Sequence, residues 1–531
     1  MKKVFRIAAA LAAAIVCSAF AIGVASCSNS SDSPAVLPTA PESAPTTPTT
    51  PESALAKKAG SIGYACASLS KTTFDAPFIN PLTKIGNGVV VYSSSALDVA
   101  IVDIFGQVII TGEGTATITA TVFDSDTYSY DVKTASYSIS VAIVPLTLEA
   151  LADGTITLKN PPSTLKYKKN DGKFETVTAS GDPAQATIAV AMGDKVSFLA
   201  NGTGNIAKGE NPKYYFNIDC SADCYLYGNV MSLDNSNIFY NCVTVSADNE
   251  FYRLFYGNKH IKNHYKFPIL LPATELTKSC YREMFFECEG LTAAPTLPAV
   301  KLKNECYKCM FEWCKKLAQA PELPATELAN ECYSFMFYGC SSLEKAPALP
   351  VVKLTERCYE SMFARCESLA KAPDLPATEL TAHCYSSMFS LCVKITSAPT
   401  LPATKLANYC YQSMFSYCKA LTQAPELPAE TLAKYCYEGM FMECSSLQAA
   451  PVLKAKTLVE GCYTAMFGGC SNLSYIKCLA TDISAASCLD YWLKYVALNG
   501  TFVKDKNMSG WKWSTSKYDG IPNGWTVQDA E

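Results

Sequence analysis

Cysteine is the residue type in this sequence whose spacing first suggests chemistry. Residues 332–343 read CYSFMFYGCSSL and place Cys332 and Cys340 eight residues apart. Two thiols at this spacing could close a disulfide, hold a metal ion together with other ligands, or pack as small apolar side chains. The chain has 25 cysteines, and most of them fall in its C-terminal half. Their distribution there therefore decides between the three interpretations.

The same pair of cysteines returns at a constant interval. Successive pairs are 26 residues apart, because 306 minus 280 is 26 and every later step has the same length. The eight pairs are Cys280 and Cys288, Cys306 and Cys314, Cys332 and Cys340, Cys358 and Cys366, Cys384 and Cys392, Cys410 and Cys418, Cys436 and Cys444, and Cys462 and Cys470. Eight tandem units without an insertion predict a periodic solenoid in which each unit packs on its neighbours.

Each unit also repeats large apolar residues at fixed positions. The consensus is L-P-A-T-x-L-x-x-x-C-Y-x-x-M-F-x-x-C-x-x-L-x-x-A-P-x, and methionine followed by phenylalanine occurs in all eight units. A stripe of methionines could suggest copper binding. The neighbouring phenylalanine and leucine favour core packing instead, since a bulky apolar residue at one place in every turn is what a continuous stacked core requires.

This unit resembles the BspA-type leucine-rich repeats of bacterial surface proteins. In that family a proline-containing apolar strand precedes a short segment ending in AF--C--L, and Met-Phe stands here in place of Ala-Phe. The resemblance implies a leucine-rich-repeat solenoid of short parallel strands and short helical or turn segments, with a 26-residue period. It also implies a role in adhesion or in binding at the cell surface.

A degenerate unit before the regular ones bears on the role of the cysteines. Residues 252–261 read YRLFYGNKHI, and in the alignment Asn258 takes the place of the second cysteine. Asparagine and cysteine can both bond inward to the backbone at a turn, but asparagine cannot close a disulfide. We therefore expect the sixteen cysteines to form two ladders of buried, reduced thiols. Bridges within a repeat remain an alternative in an exported protein.

The prolines of the repeat limit its strands. Seven units carry proline beside or within the expected strand, at positions 295, 321, 347, 373, 399, 425 and 451. Proline has no N–H to donate to a sheet. We therefore expect strands of only three or four residues, with the degenerate unit at 251–270 capping one end of the stack and the segment after Cys478 capping the other.

The N-terminus has the pattern of an export signal. Three basic side chains in the first six residues precede an apolar stretch over 7–24. A retained membrane helix is the alternative, but residues 24–27 read VASC and resemble a bacterial lipobox, which implies cleavage and lipidation at Cys27. Residues 28–51 are rich in Pro, Ser and Thr and indicate an extended tether. We expect an exported protein anchored by lipid, at the outer membrane and cell surface.

Two β-rich units are predicted between the tether and the repeats. Residues 89–122 alternate β-branched and polar residues between turn signals, resemble a bacterial Ig-like domain, and imply a β-sandwich. In the second unit, an Asp171-Gly172 turn between alternating segments predicts a hairpin. Its cysteines do not fit a standard zinc site, so we expect packed thiols or one disulfide. These cysteines are Cys220, Cys224 and Cys242.

The predicted organisation is multidomain. The segments are a signal peptide over 1–26, a lipidated linker over 27–58, an Ig-like β-sandwich over 59–147, a β-rich domain over 148–246, the repeat solenoid over 247–480 and a C-terminal cap over 481–531.

Composition and motifs argue against several functions. A formal net charge of −4 gives no electrostatic reason to expect a nucleic-acid partner. The chain has three histidines and no serine-hydrolase, zinc-protease or phosphate-loop motif, so we expect no enzyme activity, metal or cofactor.

The variable positions before the second cysteine are the candidate binding surface. They carry large side chains at Phe286, Trp313, Tyr338 and Tyr417. Exposed aromatic side chains bind proteins or glycans, although half-packed turn residues are the plainer interpretation. The expected partner is a host or bacterial surface protein or glycan. The competing function is that of a structural envelope or matrix protein whose repeats self-associate.

Overall fold

A computed structural model describes residues 56–73, 75–204 and 214–531. These stretches are rich in β-strands and contain no α-helix, and a 3-10 turn lies at Val230–Leu233. The strands before the repeats are β1 (Lys58–Tyr64), β2 (Ser68–Thr72), β3 (Phe78–Ile79), β4 (Leu82–Ile85), β5 (Val90–Ser94), β6 (Ala100–Val102), β7 (Gln107–Ile110), β8 (Gly114–Val122), β9 (Tyr128–Tyr130), β10 (Thr134–Ala142), β11 (Thr147–Ala150), β12 (Gly154–Lys159), β13 (Lys166–Lys169), β14 (Glu175–Thr176), β15 (Gln185–Val190), β16 (Lys195–Leu199), β17 (Asn217–Cys220) and β18 (Cys224–Asn229). The later strands are β19 (Ile261–Asn263), β20 (Ile269–Leu270), β21 (Tyr475–Cys478), β22 (Thr501–Lys504) and β23 (Thr526–Asp529).

The first ten strands form three small sheets around a separate core. Their orders are β4-β1-β9, β2-β10-β8-β5 and β3-β7-β6. Most pairs are antiparallel, as the alternation predicts, but β1 pairs with β9 and β2 pairs with β10 in parallel. Alternate residues of β8 and β10 point inward, so that Ile118 and Ile139 are fully buried beside Val108.

A larger sheet organises the second β-rich unit. Its order is β14-β13-β16-β11-β18-β19, with β20 also paired to β18, and a smaller sheet has the order β15-β12-β17. The predicted hairpin is confirmed. Lys166 pairs with Thr176 across the turn, and the Gly172 N–H donates to the Lys169 carbonyl over 3.0 Å.

The repeats are built from consecutive reverse turns, so the expected helical or turn segments are turns, and no helical segment is seen in the described units. In the second unit the turns run over 304–313. The Met310 N–H donates to the Tyr307 carbonyl of its own unit over 3.2 Å, while the Phe311 N–H donates to Met336 of the next unit over 3.0 Å. An α-helix would bond each N–H four residues back. Here alternate N–H groups donate to carbonyl groups of the next unit instead.

Left-handed residues recur at every fourth position of each turn run. In the second unit Glu305, Cys309 and Trp313 have φ values of 58°, 54° and 59°. The first cysteine and the methionine each directly follow such a residue, so two consecutive side chains per four-residue turn point into the core. The buried pairs therefore repeat every four residues.

The expected strands of three or four residues occur only at the two ends of the described repeat region, as β19 and β21, and the units between them carry single-residue parallel bridges instead. One row of bridges includes Ala293 with Gln319 and a second includes Lys301 with Glu327. Prolines lie between the two rows, for example Pro295 and Pro298, and supply no N–H. The ladder therefore cannot extend beyond one residue at each row.

The stack continues past the degenerate unit at one end and into a parallel sheet at the other. Strand β18 pairs in parallel with β19, and the Ile218 N–H donates to the Leu254 carbonyl over 2.8 Å. At the far end β21, β22 and β23 pair in parallel. One continuous cluster of buried residues runs from Leu146 to Trp525. No helix in the described part of the chain is long and apolar enough to cross a bilayer.

Candidate functional site

The second cysteine of each unit makes a hydrogen bond to the backbone of the preceding unit. The Cys340 thiol is fully buried and donates to the Phe311 carbonyl over 3.1 Å. The corresponding thiol of every other unit donates to the equivalent phenylalanine carbonyl over 3.0 to 3.2 Å. These sulfur atoms tie neighbouring units together while remaining protonated.

Asn258 makes the same contact at the start of the ladder. Its side-chain N–H donates to the Ile218 carbonyl over 3.1 Å, and its side-chain oxygen accepts from the His260 N–H over 3.1 Å. The exposed fraction of Asn258 is 0%. Asparagine thus replaces cysteine as an inward hydrogen-bond donor at this turn.

The first cysteine of each unit occupies an apolar place. Cys332 is fully buried and not in a disulfide, and the backbone at Ala329 and Tyr333 lies beside its thiol. All sixteen ladder cysteines are unpaired and buried. Burial raises the pKa of the Cys436 thiol to about 12 and has the same effect along both ladders. A thiol that stays protonated is a poor nucleophile and metal ligand, so these cysteines act as core side chains.

Two ladders of aromatic rings lie beside the cysteines. Tyrosine follows the first cysteine in every unit, and its ring stacks on the next at 5.8 to 6.1 Å between centroids. The phenylalanine after each methionine stacks in the same way at 5.5 to 5.9 Å. Fixed residue types in the sequence thus become continuous columns in the core.

The four aromatic residues of the candidate surface are half-buried and do not form one site. Phe286 stacks on Tyr256, with ring centroids 4.6 Å apart. Trp313 meets Tyr338 of the next unit edge to face at 5.3 Å. Tyr417 lies four units beyond Trp313, because 417 minus 313 is 104, or four steps of 26. The structure therefore brings together only Trp313 and Tyr338.

Arg365 joins this pair from a third unit. Its Nε donates to the Tyr338 hydroxyl over 3.0 Å, and its guanidinium lies 6.0 Å from the Trp313 ring. Gly339 makes room for the tryptophan, since a Cβ there would come within 2.5 Å of the ring. We call Trp313, Tyr338 and Arg365 the tryptophan cluster. It presents one large aromatic ring, one hydroxyl and one positive charge.

Sequence reasoning missed a second group of stacked rings. His383, Tyr409 and Tyr435 come from three successive units and stack in parallel, with centroids 4.6 and 4.9 Å apart. Burial, with a contribution from Arg357, lowers the pKa of His383. The signal was available, because these three residues share the position directly before the first cysteine. Both faces of the Tyr409 ring are covered.

The cysteines of the second β-rich unit stay unpaired. Cys220 ends β17 and Cys224 begins β18, and both are buried. The His260 Nδ1 lies 3.2 Å from Asp223 rather than beside these thiols. No group of three or more His, Cys, Asp and Glu side chains in the described stretches could hold a metal ion. Packed thiols, one of the two alternatives for this unit, describe the arrangement.

The lipidation position Cys27, the signal peptide over 1–26 and nearly all of the linker lie outside the described residues. No protein-family model matches the chain, and no curated protein matches it either.

Proposed function

We propose that this chain is a lipid-anchored surface protein whose repeats form a leucine-rich-repeat solenoid that binds a protein partner. The observation that carries the binding role is the tryptophan cluster. Trp, Tyr and Arg are the residue types that most often dominate protein interfaces. Here three consecutive units place one of each together, on a backbone held by hydrogen bonds from unit to unit.

The spacing of the units supports a curved solenoid. The nearly parallel rings of the two core ladders are 5.5 to 6.1 Å apart from unit to unit, whereas parallel bridges hold strands about 4.8 Å apart. The units are thus wider apart at the rings than at the bridges. Such a difference curves the stack and leaves the bridges on the concave side.

The packing of the rings favours a protein over a glycan as the ligand. A sugar stacks on a free aromatic face, but the faces of Tyr409 are covered by His383 and Tyr435. The tryptophan of the cluster packs against Gly339 and Arg365. Ring edges, hydroxyls and a guanidinium remain for the partner, and these suit the mixed apolar and polar surface of a protein.

Surface anchoring rests on the N-terminal sequence. The basic residues, the apolar stretch and the VASC motif at 24–27 favour export and lipidation at Cys27. The Pro-, Ser- and Thr-rich segment would then hold the folded part away from the membrane. The Ig-like interpretation of residues 59–147 fits this arrangement, since such domains serve as spacers or adhesive modules.

Binding of the full chain to arrays of purified extracellular proteins and of glycans tests this proposal. Trp313→Ala should weaken binding to the captured protein about 30-fold, the loss expected for a hot-spot residue worth about 2 kcal/mol. Tyr417→Ala is the matched control, because it removes a half-buried aromatic residue of the same repeat position away from the cluster. It should bind like the wild type.

Three results would contradict the proposal. They are binding to glycans alone, no binding on either array, or equal affinities for the Trp313→Ala and wild-type chains. Trp313→Phe separates a folding defect from a lost contact, since it keeps an aromatic ring beside Gly339. Protease shaving of intact cells tests surface exposure separately, and a protected chain would contradict the proposed location.

A further inference from the structure

One position of the repeat carries charges of alternating sign through six consecutive units. Its members are one repeat apart, since 301 minus 275 is 26, and we call them the charged column. They are Glu275, Lys301, Glu327, Lys353, Glu379 and Lys405. All six side chains are exposed.

Parallel backbone bridges hold two neighbouring pairs of this column side by side. Lys301 bridges in parallel to Glu327, and Glu379 bridges to Lys405, so two of the five steps between neighbouring charges are held by a bridge. The side-chain distances are 2.9 Å for the first pair and 2.5 Å for the second. Five repeat steps separate the two ends of the column, and at about 4.8 Å per step Glu275 and Lys405 are about 24 Å apart.

Ion pairing within the chain does not explain an alternation of this length. Exposed pairs contribute about 0 to 1 kcal/mol each, and the side chains of Lys301 and Glu327 are 65% and 61% exposed. Another column also forms a pair between units, from Lys315 to Glu289 over 3.1 Å. That column continues with Ser341 and does not alternate. An ion pair between neighbouring units therefore needs opposite charges in only two units, not an alternation through six.

A row of six alternating charges is complementary to itself when reversed. Read in opposite directions, Glu275 faces Lys405, Lys301 faces Glu379, and Glu327 faces Lys353, because each pair of numbers sums to 680. In a parallel arrangement in register every charge would face its own kind. We propose that the charged column pairs with the same column of a second copy of this chain, antiparallel about a two-fold axis between Glu327 and Lys353.

Exposed valines beside the column add apolar contact. Val300 and Val352 directly precede two of the lysines, and they are 45% and 60% exposed. In the antiparallel pair these positions face Thr378 and Thr326, since both pairs sum to 678. The charges then set direction and register, while affinity stays modest, as expected of exposed electrostatic interfaces. The pairing does not depend on the protein ligand proposed above.

Zero-length carbodiimide cross-linking of the full chain tests the arrangement directly. Glu275 and Lys405 are too far apart to be linked within one chain, so a 275–405 linkage can form only between copies. We expect this linkage, together with 301–379, in the cross-linked dimer. A chain that remains monomeric at every concentration tried would overturn the proposal, and so would a dimer without the 275–405 linkage.

Charge exchange gives matched controls that leave the fold intact, because all six side chains are exposed. A triple variant with Glu275→Lys, Glu327→Lys and Glu379→Lys should self-associate at least tenfold more weakly than the wild type. The opposite triple variant, with Lys301→Glu, Lys353→Glu and Lys405→Glu, should be weakened equally. An equal mixture of the two should associate again. A variant in which all six charges are exchanged should self-associate again but should not pair with the wild-type chain. If the columns paired in parallel, this variant would pair with the wild-type chain. Self-association of either triple variant at the wild-type level would refute the proposal. Trp313→Ala should leave the pairing unchanged.

Discussion

At the scale of single residues, the two cysteines of a unit differ in their surroundings. The thiol of Cys340 has a carbonyl acceptor on the preceding unit at 3.1 Å, whereas Cys332 is buried without one. A hydroxyl is a stronger donor than a thiol and costs more to bury unpaired. Replacing sulfur by oxygen therefore distinguishes the two ladders.

We expect Cys332→Ser to destabilise the chain by about 1–3 kcal/mol, the cost of burying an unpaired hydroxyl. Cys340→Ser should cost less than about 1 kcal/mol, because its hydroxyl can donate to the Phe311 carbonyl. Urea unfolding midpoints of the two variants measure the difference. Equal losses would show that the hydrogen bond of the second ladder has no energetic role.

At the scale of the element, the backbone of each turn run is strained at positions that no sequence motif marks. Every fourth residue is left-handed, although glycine occupies only a few of these positions, among them Gly439 with φ 58°. Ser387 holds the equivalent place two units earlier with φ 54°. Side chains other than glycine adopt this conformation at a cost of roughly 1 kcal/mol.

We expect Ser387→Gly to stabilise the chain by about 0.5–1 kcal/mol, because it removes the left-handed strain. The reverse change, Gly439→Ala, should destabilise it by a similar amount, and its Cβ would lie only 3.1 Å from the Ser413 hydroxyl. Thermal unfolding of both variants checks the opposite signs. Destabilisation by Ser387→Gly would contradict the left-handed geometry.

At the scale of the whole molecule, buried thiols and tyrosines are so numerous that they couple stability to pH. Burial raises the pKa of Cys358 and Cys470 to about 12 from the ordinary value of 9.0. The tyrosine ladder is raised in the same direction, for instance at Tyr359. Folding therefore requires these groups to stay protonated.

We expect stability to be maximal below pH 9 with respect to these groups and to fall steeply above it. A raised pKa in the folded state gives stability that is present below the unfolded pKa and is lost as pH rises towards the folded pKa. Each thiol removes up to about 1.4 kcal/mol per pH unit in that range. Thermal unfolding under reducing conditions between pH 7.5 and 11 measures the loss, and a constant midpoint to pH 10.5 would contradict it.

The local architecture was predictable only in part. The hairpin at Gly172 followed from turn chemistry between alternating segments, and it formed as expected. The sequence could not decide between helical and turn segments, because the apolar positions at Cys332, Tyr333, Met336, Phe337 and Cys340 fit a helix and a spiral of four-residue turns equally well. Over nine residues, periods of 3.6 and 4.0 cannot be separated.

The sequence by itself determined the 26-residue period and the columns of core side chains, because identical residues at identical spacing must occupy equivalent places in a stack. Only the tertiary structure decided which variable side chains meet. Trp313 and Arg365 are 52 residues apart in sequence, and Tyr338 lies between them. Such contacts depend on the lateral offset between neighbouring units, and the consensus sequence of the repeat does not specify that offset.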